Sequence, residues 1–133
     1  MVKKTFFFFL AAAAIFTACK KNDTTVTKTT AQKVLGKWAV ASQVSVEYSA
    51  GVGTTYTSPY SAADYSDFRA DGKAYLFYEG SYDTASYSII NDQSIKFRND
   101  TAQIRTLTDN SFVLFMKEYY GRDSSTVTIS LKK

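Results

Sequence analysis

From Lys37 onward the chain is a series of short runs in which apolar and polar residues alternate, each closed by turn-forming residues. Asp71-Gly72 separates Tyr65–Ala70 from Lys73–Glu79, and Gly80-Ser81 separates that run from Tyr82–Ile90. Asn91-Asp92, Asn99-Asp100, Asp109-Asn110 and Gly121-Arg122-Asp123 then divide off Gln93–Arg98, Thr101–Leu107, Ser111–Tyr120 and Ser124–Leu131. A period of two marks half-buried strands, and Asp-Gly between two such runs is a strong hairpin signal. Connections this short force neighbours to be antiparallel, because a parallel crossover needs about a dozen residues. With the longer run Lys37–Tyr48, the pattern predicts eight strands. An antiparallel up-and-down barrel is the economical all-β arrangement, since closure removes exposed edges.

Ahead of the first strand, Thr30 suits the N-cap of a short helical turn through Leu35, and Gly36 suits its left-handed close. The first strand places Trp38, Val40, Val44, Val46 and Tyr48 in one phase, with only Ser42 interrupting. Ser49–Ala63 departs from the rule: it is 15 residues long and holds Gly51, Gly53 and Pro59. Connections of that length are uncommon unless they are lids, binding loops or mobile surface loops. Tyr56 and Tyr60 are the candidates for a lid over the barrel mouth.

The front of the chain has another character. Met1-Val2-Lys3-Lys4 precedes the apolar run Thr5–Phe16, and Thr17-Ala18-Cys19 follows. A basic start, an apolar centre and small residues before a cut site are the parts of a secretory signal peptide. The run is too short for a membrane span of about 20 residues. Phe16-Thr17-Ala18-Cys19 resembles the lipobox of bacterial lipoproteins, which implies acylation of Cys19 and a membrane anchor. The competing readings are an incidental cysteine beside an ordinary cleavage site and an uncleaved anchor. After Cys19 the chain is polar and Thr-rich, too poor in apolar surface to offset the entropy of ordering it. The expected division is residues 1–18 as signal peptide, 19–32 as lipidated cysteine and flexible tether, and 33–133 as the barrel. Lys20 replaces the aspartate that retains lipoproteins at the inner membrane of enteric bacteria, which favours an outer-membrane address. Asp23 alone leaves the periplasmic and surface faces both open.

Charge and composition narrow the chemistry. The whole chain has 16 basic and 12 acidic residues, but from Lys33 onward the count is 11 and 11. The excess therefore belongs to the export signal and tether, which fits a membrane address and argues against nucleic acid. With no histidine there is no Ser-His-Asp or Cys-His arrangement and no imidazole metal ligand. A single cysteine makes no internal disulfide and no thiolate cage. Asp64, Asp67 and Asp71 match a calcium loop poorly, and Glu47, Glu79 and Glu118 read as solvated strand-end charges. The expectation is a non-enzymatic protein without metal or cofactor.

Leu35-Gly36-Lys37-Trp38 resembles the Gly-x-Trp signature of lipocalin and calycin barrels. Phe68-Arg69-Ala70-Asp71-Gly72-Lys73, Tyr87-Ser88-Ile89-Ile90-Asn91-Asp92 and Ile104-Arg105-Thr106-Leu107-Thr108 are similar to phrases in the lipocalin-like domains of small Bacteroidota lipoproteins. The resemblance covers about residues 33–133. It implies a tryptophan packed across the closed end over a helical turn, covered by a basic residue for which Arg105, Arg122 and Lys132 are candidates. The lipocalins' Thr-Asp-Tyr motif is absent.

Such a barrel has an interior that side chains fill or that holds one small ligand. Alternation directs inward Trp38, Val40, Val44, Val46, Tyr87, Ile89, Ile95, Phe97, Ile104, Phe112, Leu114, Met116, Val127 and Ile129. Of these, Trp38, Val44, Val46, Tyr87, Ile89, Phe97, Ile104, Phe112, Leu114, Met116 and Val127 are the candidate ligand contacts, with plain core as the competing reading. Along Lys73–Glu79 the face stays open between Tyr75 and Phe77 on one side and Leu76 and Tyr78 on the other. Two functions follow. One is a lipid-anchored envelope protein holding a small hydrophobic or amphipathic ligand; the other is a structural lipoprotein with a filled core that docks onto another envelope protein.

Overall fold

The computed structural model describes residues 26–133. The expected signal peptide, Cys19 and the first part of the tether lie outside the described residues. Helix α1 (Thr30–Val34) is little more than one turn. Its N-cap is Thr29, one residue before the expected Thr30: the Thr29 hydroxyl accepts the Gln32 N–H, and the Gln32 side chain accepts the Thr29 N–H at 2.9 Å. This capping box satisfies two otherwise orphaned donors. Gly36, at φ +106°, then turns the chain into the first strand.

Nine strands follow among the described residues: β1 (Gly36–Ser49), β2 (Val52–Ser58), β3 (Tyr65–Phe68), β4 (Lys73–Tyr78), β5 (Ser81–Asn91), β6 (Ser94–Phe97), β7 (Asp100–Leu107), β8 (Ser111–Tyr120) and β9 (Asp123–Lys132). Strands β3 to β9 pair in order, β1 pairs with β3, and β9 returns to β1, all antiparallel. The result is the expected closed, eight-stranded, up-and-down barrel, an architecture consistent with a lipocalin-like calycin fold.

The additional strand, β2, corrects the reading of Ser49–Ala63 as a long connection. Ala50 and Gly51 have φ of +50° and +83°, the pattern of a two-residue hairpin turn. The chain folds back on the upper part of β1, pairing Ser49 with Val52 through Gln43 with Ser58. Lower on that same edge, β3 pairs Ala39 with Tyr65 through Gly36 with Phe68. β2 and β3 thus make one wall of the barrel, interrupted by residues 59–64.

A second difference lies in β1 itself. Its register against β9 shifts between Val40 and Ser42, a bulge in which Ala41 is the extra residue. Below it, Trp38 and Val40 face the core, Val40 opposite the buried Leu131. Above it the inward phase passes to Gln43, which faces Ile129. Val44 and Val46, expected in the lumen, therefore lie on the outer face opposite Thr128 and Thr126. Strand β4 resolves in the opposite direction: Leu76 and Tyr78 face inward, while Phe77 stacks on Tyr65 outside at 5.8 Å.

The closed end is sealed by buried Val34, Trp38, Phe68, Ile95 and Phe112. Trp38 donates its indole N–H to the Val34 carbonyl at 2.7 Å, tying α1 to the barrel floor. The basic residue over the indole is Lys133, not Arg105, Arg122 or Lys132. Its Nζ sits 4.1 Å from the ring centroid and donates to the Leu35 carbonyl at 2.9 Å. It thereby combines a cation–π contact with a cap on the carbonyl that α1 leaves free. Burial pulls the Lys133 ammonium below its ordinary pKa.

Candidate ligand-binding site

The inner face changes character along the barrel axis. At the floor, Phe68 is ringed by Tyr87 at 5.1 Å, Phe97 at 5.7 Å and Phe112 at 5.7 Å, and Phe112 meets Trp38 at 5.5 Å. Above the floor, Ser66, Ala85 and Ala102 bring short side chains to inward positions. Eight strands enclose a volume that large side chains fill and small ones do not. The remainder is a cavity of about 500 Å³ that opens at the end opposite α1.

Its lower walls are apolar, with Leu76, Phe97, Leu114, Met116 and Ile129 among them. Polar groups converge higher up. The Tyr60 hydroxyl donates to Gln43 Oε1 at 2.6 Å, and the Tyr78 hydroxyl and Ser66 Oγ share a hydrogen bond of 2.5 Å. Burial pushes both tyrosine hydroxyls above their ordinary pKa, with hydrogen bonds from Ser58 and Ser66 partly opposing and nearby Glu79 and Asp64 charges reinforcing the rise at Tyr60. Both phenols therefore remain neutral at physiological pH. The rim adds Glu79, Asp83, Arg98 and Asp100, of which Arg98 and Asp83 form an ion pair.

The segment beside the mouth is braced by Asp64, whose side chain is buried. One carboxylate oxygen accepts the Ser61 N–H at 2.6 Å, and the other accepts the Glu79 N–H at 3.0 Å. Its main-chain carbonyl accepts the Val40 N–H at 3.0 Å. One residue thus fastens the 59–64 segment to both β1 and the β4–β5 turn. The two nearby aspartates are also engaged: Asp67 pairs with Arg69, and Asp71 accepts the Lys73 N–H. Among the described residues no three acidic side chains gather as a metal-ligand set. Glu47 and Glu118 flank Ser125 in one cross-strand row, whereas Glu79 belongs to the cavity rim.

Of the candidate ligand contacts, Phe97, Leu114 and Met116 line the cavity. Trp38 and Phe112 form the floor beneath it, and Tyr87, Ile89 and Ile104 pack against that core. Val127 faces inward opposite Ser45, whereas Val44 and Val46 face outward. Tyr60 lies at the mouth, edge-on to Tyr78 at 6.0 Å. Tyr56 sits on β2 on the same face as Ser58, 52% exposed and outside the set of residues that line the cavity. The residues that make space, Ala85 and Ala102, are absent from the candidate list. Their signal was positional: each lies two residues from a large inward side chain, Tyr87 and Ile104 respectively.

No family model matches the chain, and none of the curated proteins compared with it matches.

Proposed function

We propose that this protein is a non-enzymatic, lipid-anchored carrier of the bacterial cell envelope that holds one small amphipathic molecule in its barrel. The observation that carries the reading is the cavity: about 500 Å³, apolar below and polar at its mouth. Ligand sites are typically concave spaces of about 300–1,000 Å³ with an apolar lining and a few placed polar groups. The apolar part of the ligand rests on Phe97, Leu114 and Met116, and its polar end meets Gln43, Tyr60, Ser66 and Tyr78. An unfilled lumen favours this role over that of a solid-cored docking protein. Acylation at Cys19 supplies the anchor, since stable attachment takes about two acyl chains, and the address is the outer membrane.

The decisive experiment is native mass spectrometry of the protein from its own host, paired with titration by the fluorescent apolar probe N-phenyl-1-naphthylamine. A co-purifying amphiphile and saturable uptake of the probe are expected. Ala85→Leu, which extends a side chain into the cavity, leaves the barrel folded and lowers probe affinity at least about tenfold. Absence of both a bound molecule and probe uptake sinks the reading. Labelled palmitate reports on the anchor separately: Cys19→Ala abolishes incorporation.

A further inference from the structure

Strand β2 stands at the end of the strand order, on the wall beside β1. Among the described residues it pairs only with β1, so its other edge is free. The two-residue turn sets which groups face that edge. Ser49 and Val52 close the hairpin as a hydrogen-bonded pair, and alternate pairs up the ladder repeat that bonding. Gly53, Thr55 and Thr57 therefore turn both N–H and C=O away from β1.

Sheet edges are usually blunted by charge, proline or cover. Val52–Ser58 reads Val-Gly-Thr-Thr-Tyr-Thr-Ser, without charge, and Pro59 comes only after it. Val52 is 69% exposed and Tyr56 52%. The segment is also self-complementary. A two-fold axis at Thr55 sets Thr55 against Thr55 of the second copy and Gly53 against its Thr57, aligning every outward donor with an outward acceptor. Thr54 then faces Tyr56 of the second copy, no like charges meet, and Thr–Thr and aromatic–β-branched pairs are favourable across strands. Gly53 suits this edge because the Tyr48 ring lies over it: a Cβ there would come within 3.0 Å of Tyr48 Cε1.

We propose that β2 pairs antiparallel with β2 of a second copy of this chain, about a two-fold axis at Thr55, joining two barrels through one continuous sheet. An isologous contact of this kind buries the same surface on both partners and closes on itself, so it stops at the dimer.

Sedimentation of the full chain in non-ionic detergent, from about 1 to about 200 μM, tests this by mass action. A reversible dimer is expected, with amide exchange at Gly53, Thr55 and Thr57 slowing as concentration rises. Thr55→Pro removes a single outward donor, and Thr55→Lys sets like charges face to face. Both variants are expected to be monomeric while keeping the wild-type circular dichroism spectrum. A wild-type chain that stays monomeric overturns the proposal, as does a dimer that survives both substitutions. Protection of these amides by an added extended peptide, without dimer formation, assigns the edge to another partner and overturns it too.

Discussion

The indole N–H of Trp38 donates to the Val34 carbonyl at 2.7 Å, and both residues are fully buried. This hydrogen bond joins α1 to the barrel across the closed end. Trp38→Phe removes the donor, leaves a buried carbonyl unpaired and opens space beside Phe112. It is expected to cost roughly 2–4 kcal/mol of stability, read from urea denaturation. Probe uptake at the far end stays near wild type. A loss below about 0.5 kcal/mol would show that α1 is a passive lid.

Asp64 holds two main-chain donors with one carboxylate. Asp64→Ala orphans both and should destabilise the barrel by roughly 2–4 kcal/mol. Asp64→Asn keeps the shape but turns a donor toward a donor, so an intermediate cost is expected. Hydrogen exchange at Ser61 and Glu79 localises the effect. Unchanged protection there would contradict the clamp.

The tyrosines at the mouth make an alkaline signature. Burial raises the pKa of Tyr60 and of Tyr78, so the folded state holds these protons more tightly than the unfolded chain does. The associated stability is complete below the unfolded tyrosine value of about 10 and is lost as pH rises through the folded values. Urea midpoints between about pH 8 and about pH 11 are expected to fall in the wild type and to fall less steeply in the Tyr60→Phe, Tyr78→Phe double variant. Equal slopes would assign the alkaline loss to other groups.

Val40 and Val46 share a parity, yet the bulge at Ala41 puts them on opposite faces. Val40→Lys buries an unpaired charge and should cost several kcal/mol or prevent folding. Val46→Lys projects into solvent and should change stability by less than about 1 kcal/mol. Similar costs at the two positions would mean that the strand is continuous in phase.

That pair also shows where the sequence was readable. The turn pairs marked the hairpins well: Asp71-Gly72 does join β3 to β4, with Gly72 at φ +77°. Antiparallel order followed from short connections alone. The bulge escaped because valines continue on even positions through Val44 and Val46, and only Ser42 marks the change of phase. β2 escaped because Gly51, Gly53 and Pro59 read as loop punctuation, although Thr54–Thr57 is rich in strand-forming residues. At β4 both faces carry large side chains, so the choice of Leu76 and Tyr78 waited on their neighbours Ser66, Asp83 and Ser81. The cavity depends on residues too small to leave a hydrophobic signal, and Lys133 reaches Trp38 only through ring closure.

Ring closure has its own consequence in time. The first strand finds its longest partner in the last, with pairs running from Ala39–Lys132 to Tyr48–Ser124. Contacts so far apart in sequence form slowly, because the intervening chain must be confined before they repay it. A chain emerging from its N-terminus therefore stays an unclosed sheet until Asp123–Lys132 is free. Its final strand acts as the latch that commits it to the folded state.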